Sequence, residues 1–446
     1  MFSKKIFILL SLFVVMSMVL LGCSSSKNNG ETTSKEPKAS VASSDTSTKK
    51  PAKVEQVELT FWDMAWGPQE YVDTAKKLIE QFTKEHPNIK VKYQPTAWDN
   101  WYQTFTTAIA TNTAPDLSTG GAYQAFQFYK EGAILPVNDL VEKMRQNGTL
   151  NDFYPGAIET LKYDGNYVSL PWGMDIRVPF YRKDLLEAKG IKEPKNFKEF
   201  KSAMLQLSGD GKYGMTISGD TLGTQGLFSL MLNNGGGLFT KDQKLDFMNE
   251  RNVEAATLLS DLVKAGAINK ASVGLTGQDS VKAFSSGMSA FMINSPGFAQ
   301  ALPELKDKIG VMDPMEGYYG DKGTIAWVGN MMIYKQTKHP EEAKIFLQWW
   351  IDNIKPLFTE GKSSQLPARK SFTNDPYFQK NPILNEVINK WMPVGQSLKA
   401  KSPGAFPALN TIEGDGSMVI LIQSILSGDD PKKAMLKAEK EISKIK

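Results

Sequence analysis

From Val57 onward the chain alternates between two hydrophobic periods, and that alternation limits the fold more than any other feature. Residues 57–62 alternate apolar and polar side chains with the period of two expected of a strand. Across 69–85, Val72, Ala75, Ile79 and Phe82 recur at helical spacing, and His86-Pro87 stops the helix. Residues 89–93 read as a second strand. Trp101, Phe105 and Ile109 mark one face of a second helix, and Pro115-Asp116-Leu117 opens a third strand. Strands separated by helices predict a parallel sheet covered by helices on both faces. About 390 residues lie from Val54 onward, more than one hydrophobic core serves, so two domains are expected.

In open α/β sheets ligands bind beyond the carboxyl ends of the strands. The first strand is followed there by Trp62, Asp63 and Trp66, and the third by Ser118, Thr119, Gly120, Gly121 and Tyr123. Both loops place aromatic and polar groups where they can converge on one crevice. Trp98 and Trp101 straddle the start of the second helix, where Trp101 shares the core-facing side of Phe105.

The N-terminal segment fixes the compartment. Lys4 and Lys5 precede an apolar run over 6–21 and then Gly22-Cys23, the layout of a secretory signal peptide. The run is shorter than the roughly 20 residues that span a bilayer. Leu20-Leu21-Gly22-Cys23 resembles a bacterial lipobox, which implies cleavage before Cys23 and a diacylglycerol thioether on its sulfur. Two or more acyl chains, at about 0.8 kcal/mol per buried methylene, hold a protein stably on a membrane. Cys23 is the one cysteine of the chain, so the folded part contains neither disulfides nor thiolate chemistry. Residues 24–53 are rich in Ser, Thr, Lys and Pro, too polar to offset the entropy of ordering, and read as a tether with a reach of roughly 30 Å. The formal net charge of +4 is concentrated here. Lys4 and Lys5 account for +2 and residues 24–53 for +3, which leaves the rest at −1. The folded part therefore lacks the basic excess that nucleic-acid binding requires.

Seven further segments, in order, carry a family resemblance. They are 113–116 (Thr-Ala-Pro-Asp) with 129–136 (Tyr-Lys-Glu-Gly-Ala-Ile-Leu-Pro), and 167–177 (Tyr-Val-Ser-Leu-Pro-Trp-Gly-Met-Asp-Ile-Arg) with 180–185 (Phe-Tyr-Arg-Lys-Asp-Leu). Next come 233–239 (Asn-Asn-Gly-Gly-Gly-Leu-Phe), 283–292 (Ala-Phe-Ser-Ser-Gly-Met-Ser-Ala-Phe-Met) and 340–347 (Pro-Glu-Glu-Ala-Lys-Ile-Phe-Leu). The last are 366–369 (Leu-Pro-Ala-Arg) and 425–428 (Ile-Leu-Ser-Gly). Together they resemble the family 1 extracellular solute-binding proteins, the group of maltose- and multiple-sugar-binding proteins. The resemblance implies a two-lobed periplasmic-binding-protein-like α/β fold, with a mostly parallel, helix-flanked sheet in each discontinuous lobe and a hinge between them. Crossings are expected near Asp175, Asp313 and Gly361. The implied domains are a signal peptide (1–22), a lipidated cysteine and tether (23–53), lobe one (54–175 plus 314–361) and lobe two (176–313 plus 362–446). It also implies a monomer on the extracellular face of the cell membrane that hands a carbohydrate, expected to be an oligosaccharide, to the transmembrane subunits of an ABC permease. Neither a cofactor nor a metal is expected.

A sugar ring offers hydroxyls around its rim and C–H patches on its faces, so its cleft needs flat aromatics and a few oriented polar groups. The 9 Trp and 14 Tyr supply the first need, and position selects among them. The expected ligand-binding residues are Trp62, Asp63 and Trp66, then Asp116 and Tyr123 around the third strand. Trp172, Asp175 and Arg177 follow in the crossing segment, Trp327 and Asn330 at the glycine turn before 331–334, and Arg369 and Glu413 near the end. Arg177 carries a rigid fork of donors suited to vicinal hydroxyls or a uronate, or to an ion pair with Asp175 that shapes the hinge. Asp116 is equally suited to capping a turn.

A secreted glycoside hydrolase is the rival class, because two carboxylates suffice for that chemistry. The only histidines, His86 and His339, each precede proline and read as punctuation, which sets aside His-based metal sites and Ser-His-Asp triads. Among other cargoes, ferric iron wants clustered tyrosines such as Tyr318-Tyr319, and polyamine wants carboxylates without an arginine. Peptide and a sensory co-receptor role stay open.

Overall fold

The computed structural model describes residues 56–445 except 122, 401, 403 and 405. The signal segment, Cys23 and the tether lie outside the described residues. The strands are β1 (Val57–Met64), β2 (Ile89–Thr96), β3 (Leu117–Gly120), β4 (Lys162–Tyr163), β5 (Asn166–Tyr167), β6 (Leu170–Ile176) and β7 (Val178–Arg182). They continue with β8 (Tyr213–Met215), β9 (Ser289–Asn294), β10 (Ile309–Val311), β11 (Thr324–Ile333), β12 (Leu366–Pro367) and β13 (Gly395–Gln396).

β1 forms because Val57, Leu59 and Phe61 fall on one buried face. Phe61 meets Phe346 and Trp350 of the helix Pro340–Asn353 edge-on, at 5.3 and 5.1 Å between ring centroids. The helix Gln69–Glu85 buries Tyr71, Ala75, Leu78, Ile79 and Phe82, while Val72 is only partly buried. The larger sheet runs β12-β6-β11-β3-β1-β2, with β13 also paired to β11. The smaller sheet runs β10-β7-β9-β8. Around the smaller sheet pack the helices Phe197–Gln206, Thr221–Asn233 and Gly277–Ser285, with Glu250–Lys264 behind Thr221–Asn233.

Helices flank both sheets, but the expectation of mostly parallel sheets is corrected. β1 is parallel to β2 and β3, whereas β11 is antiparallel to both β3 and β6, and β12 is antiparallel to β6. In the smaller sheet only β8 and β9 are parallel. The cause is connectivity. Parallel neighbours need helical crossovers, and β11 enters the larger sheet directly from the smaller one, so it arrives pointing the opposite way.

The chain leaves the larger sheet at Arg177, between β6 and β7, and returns between β10 and β11. The stretch 362–446 is shared between the two sheets. β12 and β13 join the larger one, while Ser417–Leu426 and Pro431–Ile442 pack on Thr221–Asn233 and Glu250–Lys264. Among the described residues no helix is long and apolar enough to cross a membrane.

Candidate ligand-binding cleft

The pairing directions bring the carboxyl ends of β1, β2, β3 and β6 to one edge of the larger sheet. The loops beyond them carry Trp66, Trp98, Gly121 and Gln124, and β6 itself ends on Asp175 and Ile176. β11 begins at the same edge, with Trp327 opposite Asp175. Facing this edge are the N-terminal turns of Thr221–Asn233 and the helix Ala408–Gly414. Between the two sides lies a cleft of about 540 Å³, at the place where strand-end loops bind ligands in such sheets.

One wall is aromatic. Trp98 is 40% exposed, its Nε1–H donates to the Ala65 carbonyl at 2.9 Å, and its ring meets Trp66 edge-on at 4.6 Å. Trp66 donates its own Nε1–H to Thr119 Oγ1 at 2.9 Å, and Thr119 donates to Asp63 at 2.7 Å. Asp63 is fully buried and also accepts from Tyr93 at 3.1 Å and Tyr71 at 3.4 Å. Burial pushes its carboxyl up to about 7, against the lowering effect of the hydrogen bonds from Thr119, Tyr93 and Tyr71. Asp63 therefore acts at a distance, as the end of a chain that fixes Trp66.

Charges converge beside it, where the ends of β6 and β11 meet the facing helices. Arg177 Nη1 donates to Asp175 at 2.6 Å and Nε to Gln225 at 2.7 Å, and the guanidinium lies 5.0 Å over the Trp327 ring. The two side chains of the ion pair are 11% and 13% exposed. Trp327 Nε1–H donates to Glu413 at 2.9 Å. Burial pushes the Glu413 carboxyl up to about 8. The Trp327 hydrogen bond and the Arg177 charge pull it down, and Asp175 pushes it further up. Arg177 thus has two of its donors and one face engaged, by a carboxylate, an amide and an indole.

Of the residues expected at the site, Trp66, Asp175, Arg177, Trp327 and Glu413 line the cleft. The others do not. Trp172 is 1% exposed, stacked on Phe358 at 5.9 Å and edge-on to Trp66 at 4.9 Å, so it backs the wall rather than facing solvent. Trp62 is partly buried against Phe105. Asp116 ties β1 to β3 by accepting from Thr60 N and Oγ1, both at 2.7 Å. Tyr123 is buried and hydrogen-bonds Ser397 at 2.7 Å and Leu398 N at 3.2 Å. Asn330 is buried with its amide donating to the Gly121 carbonyl at 2.7 Å. Arg369 is held by Asp152 at 2.7 Å and Asp352 at 2.8 Å. Trp98, placed at the start of the second helix but not among the expected ligand-binding residues, lines the cleft, as do Tyr102, Gln124, Gln225, Gln365 and Asn410, which the sequence did not single out. The strand-end rule, applied to β2 as it was to β1 and β3, points to Trp98. The amides carry no local signal.

Tyr102 also bridges the cleft: its hydroxyl lies 3.1 Å from Thr411 Oγ1, and a Cβ on Gly414 would come within 2.5 Å of its ring. Asn410 reaches Gln127 at 2.8 Å beside it.

Comparison with known proteins gives this arrangement a context. A sugar transporter protein of Arthrobacter chlorophenolicus A6, solved with bound laminaribiose, is 33% identical, and the match covers 87% of this chain and 99% of that one at a TM-score of 0.83. An arabinooligosaccharide-binding protein of Bacillus subtilis (strain 168) is 23% identical over 85% of this chain and 86% of its own length. A maltose-bound protein of T. maritima, 20% identical, shares the two-lobed fold over 87% of this chain and all of its own, at a TM-score of 0.75. The family described as bacterial extracellular solute-binding protein matches residues 66–353, well over half of the chain. The chain belongs to the bacterial extracellular solute-binding proteins.

Proposed function

We propose that this protein captures a neutral oligosaccharide in the cleft between its lobes and delivers it to an ABC permease. The observation that carries this reading is the pairing of the exposed Trp98, backed by Trp66, with hydrogen-bonding side chains in one cleft at the strand ends. The laminaribiose held by the Arthrobacter relative supports a short glucan as cargo. Neutrality follows from Arg177, whose charge is already matched by Asp175, and from the acidic groups Asp99, Asp220 and Asp415 around the cleft. A uronate would meet these carboxylates without a free cation to receive it.

The lobe assignment we propose keeps 54–175 and 314–361 in lobe one and extends it through Arg369, which is tied to Asp152 and Asp352. It leaves 176–313 and the helices of 417–442 in lobe two. Closure of the lobes on cargo is a hinge motion, and it signals occupancy only if the sugar binds the closed form better. The full-length protein is expected to rise in thermal midpoint with laminaribiose, since ligand at 100 times its Kd stabilises by about 2.7 kcal/mol. A screen of neutral and uronic saccharides in which only the uronic ones raise the midpoint would refute neutral cargo.

We further propose that Cys23 carries the lipid anchor on the extracellular face, with the protein monomeric. Cells making the Cys23→Ser variant should shed it into the medium, and retention of that variant on the membrane would contradict the anchor. A hydrolase reading has one observation in its favour, a raised carboxyl at Glu413 in the same cleft as Asp175. Both groups are committed, Asp175 to Arg177 and Glu413 to Trp327, which favours binding without turnover.

A further inference from the structure

Three glycines of the larger sheet lie beneath side chains at the base of the cleft. Gly173 and Gly329 are register partners on β6 and β11, and Gly120 pairs with Asn330 on the next strand over. Each glycine lies against a polar group. A Cβ on Gly120 would come 2.2 Å from Gln124 Oε1, one on Gly173 3.3 Å from Gln365 Cβ, and one on Gly329 2.9 Å from Trp172 Nε1. Side chains at these positions would displace those groups, so the glycines let them lie flat over the strands.

Each of those three residues carries a buried polar atom with no hydrogen-bond partner among the described residues. Gln124 is fully buried. Its Oε1 accepts from Gly121 N at 3.1 Å, while its Nε2 has no partner. Gln365 is 4% exposed and its Oε1 has no partner. Trp172 Nε1 is a third buried polar atom in the same condition. A buried polar group left unpaired costs about 1–3 kcal/mol, and three of them around one glycine floor are hard to reconcile with a purely structural role. Gln124 and Gln365 both line the cleft. The terminal torsion of glutamine is broad, so either amide can turn an unpaired atom toward a ligand.

We infer that Gln124 and Gln365 are specificity-determining residues that read the hydroxyls of one pyranose ring seated in the cleft between them. This rests on the carbohydrate reading above. A hydroxyl both donates and accepts, so neighbouring hydroxyls satisfy the Gln124 donor from one side and the Gln365 acceptor from the other. A site built this way discriminates against rings that lack a hydroxyl at those positions, because the amides are then left unpaired.

The test uses the full-length protein, laminaribiose as probe, and the variants Gln365→Met and Gln124→Glu. Gln124→Glu keeps the acceptor for Gly121 N and removes the donor. Each variant is expected to bind laminaribiose at least tenfold more weakly. The sugar-free Gln365→Met protein should melt at or above the wild-type temperature, because it loses an unpaired buried group. Binding within threefold of wild type in both variants would overturn the inference while leaving the carbohydrate reading intact. A sugar-free Gln365→Met protein melting several degrees lower would overturn it as well, since Gln365 would then be satisfied within the fold by ordered water. If the wild type binds no sugar of a neutral panel, the carbohydrate reading itself fails and the inference falls with it.

Discussion

Trp172→Ala is expected to lower folding stability by about 3–5 kcal/mol, the usual cost of emptying a fully buried tryptophan site. The residue is 1% exposed, one face is covered by Phe358, and its edge supports Trp66. Gly173 and Gly329 beside it carry no side chains that could move in, so the cavity would persist. Sugar affinity should fall too, indirectly, as Trp66 loses its backing. Trp98→Ala is the contrasting variant. Trp98 is 40% exposed on the cleft wall, so its loss should leave the denaturant midpoint almost unchanged and weaken sugar binding at least tenfold, about 1.4 kcal/mol. Urea unfolding and a binding titration on both variants check the pair. Equal stability losses would show that the two indoles do not divide into support and contact.

The second large effect is expected at Arg177. Arg177→Met strands the Asp175 carboxylate in a site where the pair was 11% and 13% exposed, and breaking a pair of this kind costs about 3–5 kcal/mol. It also removes the positive charge that pulls Glu413 down, leaving burial and Asp175 to push it up. The sign of the pH dependence follows. Glu413 has a folded value of about 8 against an ordinary 4.5, so its contribution to stability is full below 4.5 and is lost as pH rises toward 8. In Arg177→Met that loss extends to higher pH. The stability difference between wild type and variant should therefore be larger at pH 8 than at pH 5, with a slope of at most about 1.4 kcal/mol per pH unit from this one proton. A pH-independent difference would mean that Arg177 and Glu413 are not coupled.

The scaffold was legible because its signal is periodic. Leu59 and Phe61 of β1, and Ala75, Ile79 and Phe82 of the first helix, announce their buried faces in the local spacing of apolar residues. The direction of β11 was not legible, since nothing within Thr324–Ile333 records that the chain enters the sheet from the other body. At the site, what could be read was which loops converge, and what could not was which side chain in a loop faces the cleft. Trp172 stands in the crossing segment and Trp327 at a glycine turn, yet Phe358, distant in sequence, buries one while the other keeps an edge on the cleft. Asp63 reads locally as a strand-end carboxylate. Only the convergence of Tyr71, Tyr93 and Thr119 from three other elements turns it into a buried anchor. Gln124 and Gln365 are the extreme case, ordinary glutamines whose interest lies entirely in the glycines beneath them.

The central claim is that the cleft binds a neutral oligosaccharide without transforming it. Isothermal titration of the full-length protein with laminaribiose, followed by analysis of the recovered sugar, tests it most directly. Saturable one-to-one binding is expected, with a Kd between about 1 µM and 1 mM, about −8 to −4 kcal/mol, and intact disaccharide afterwards. Absence of binding across laminaribiose and other neutral di- and trisaccharides, or release of monosaccharide at catalytic rates, would contradict it.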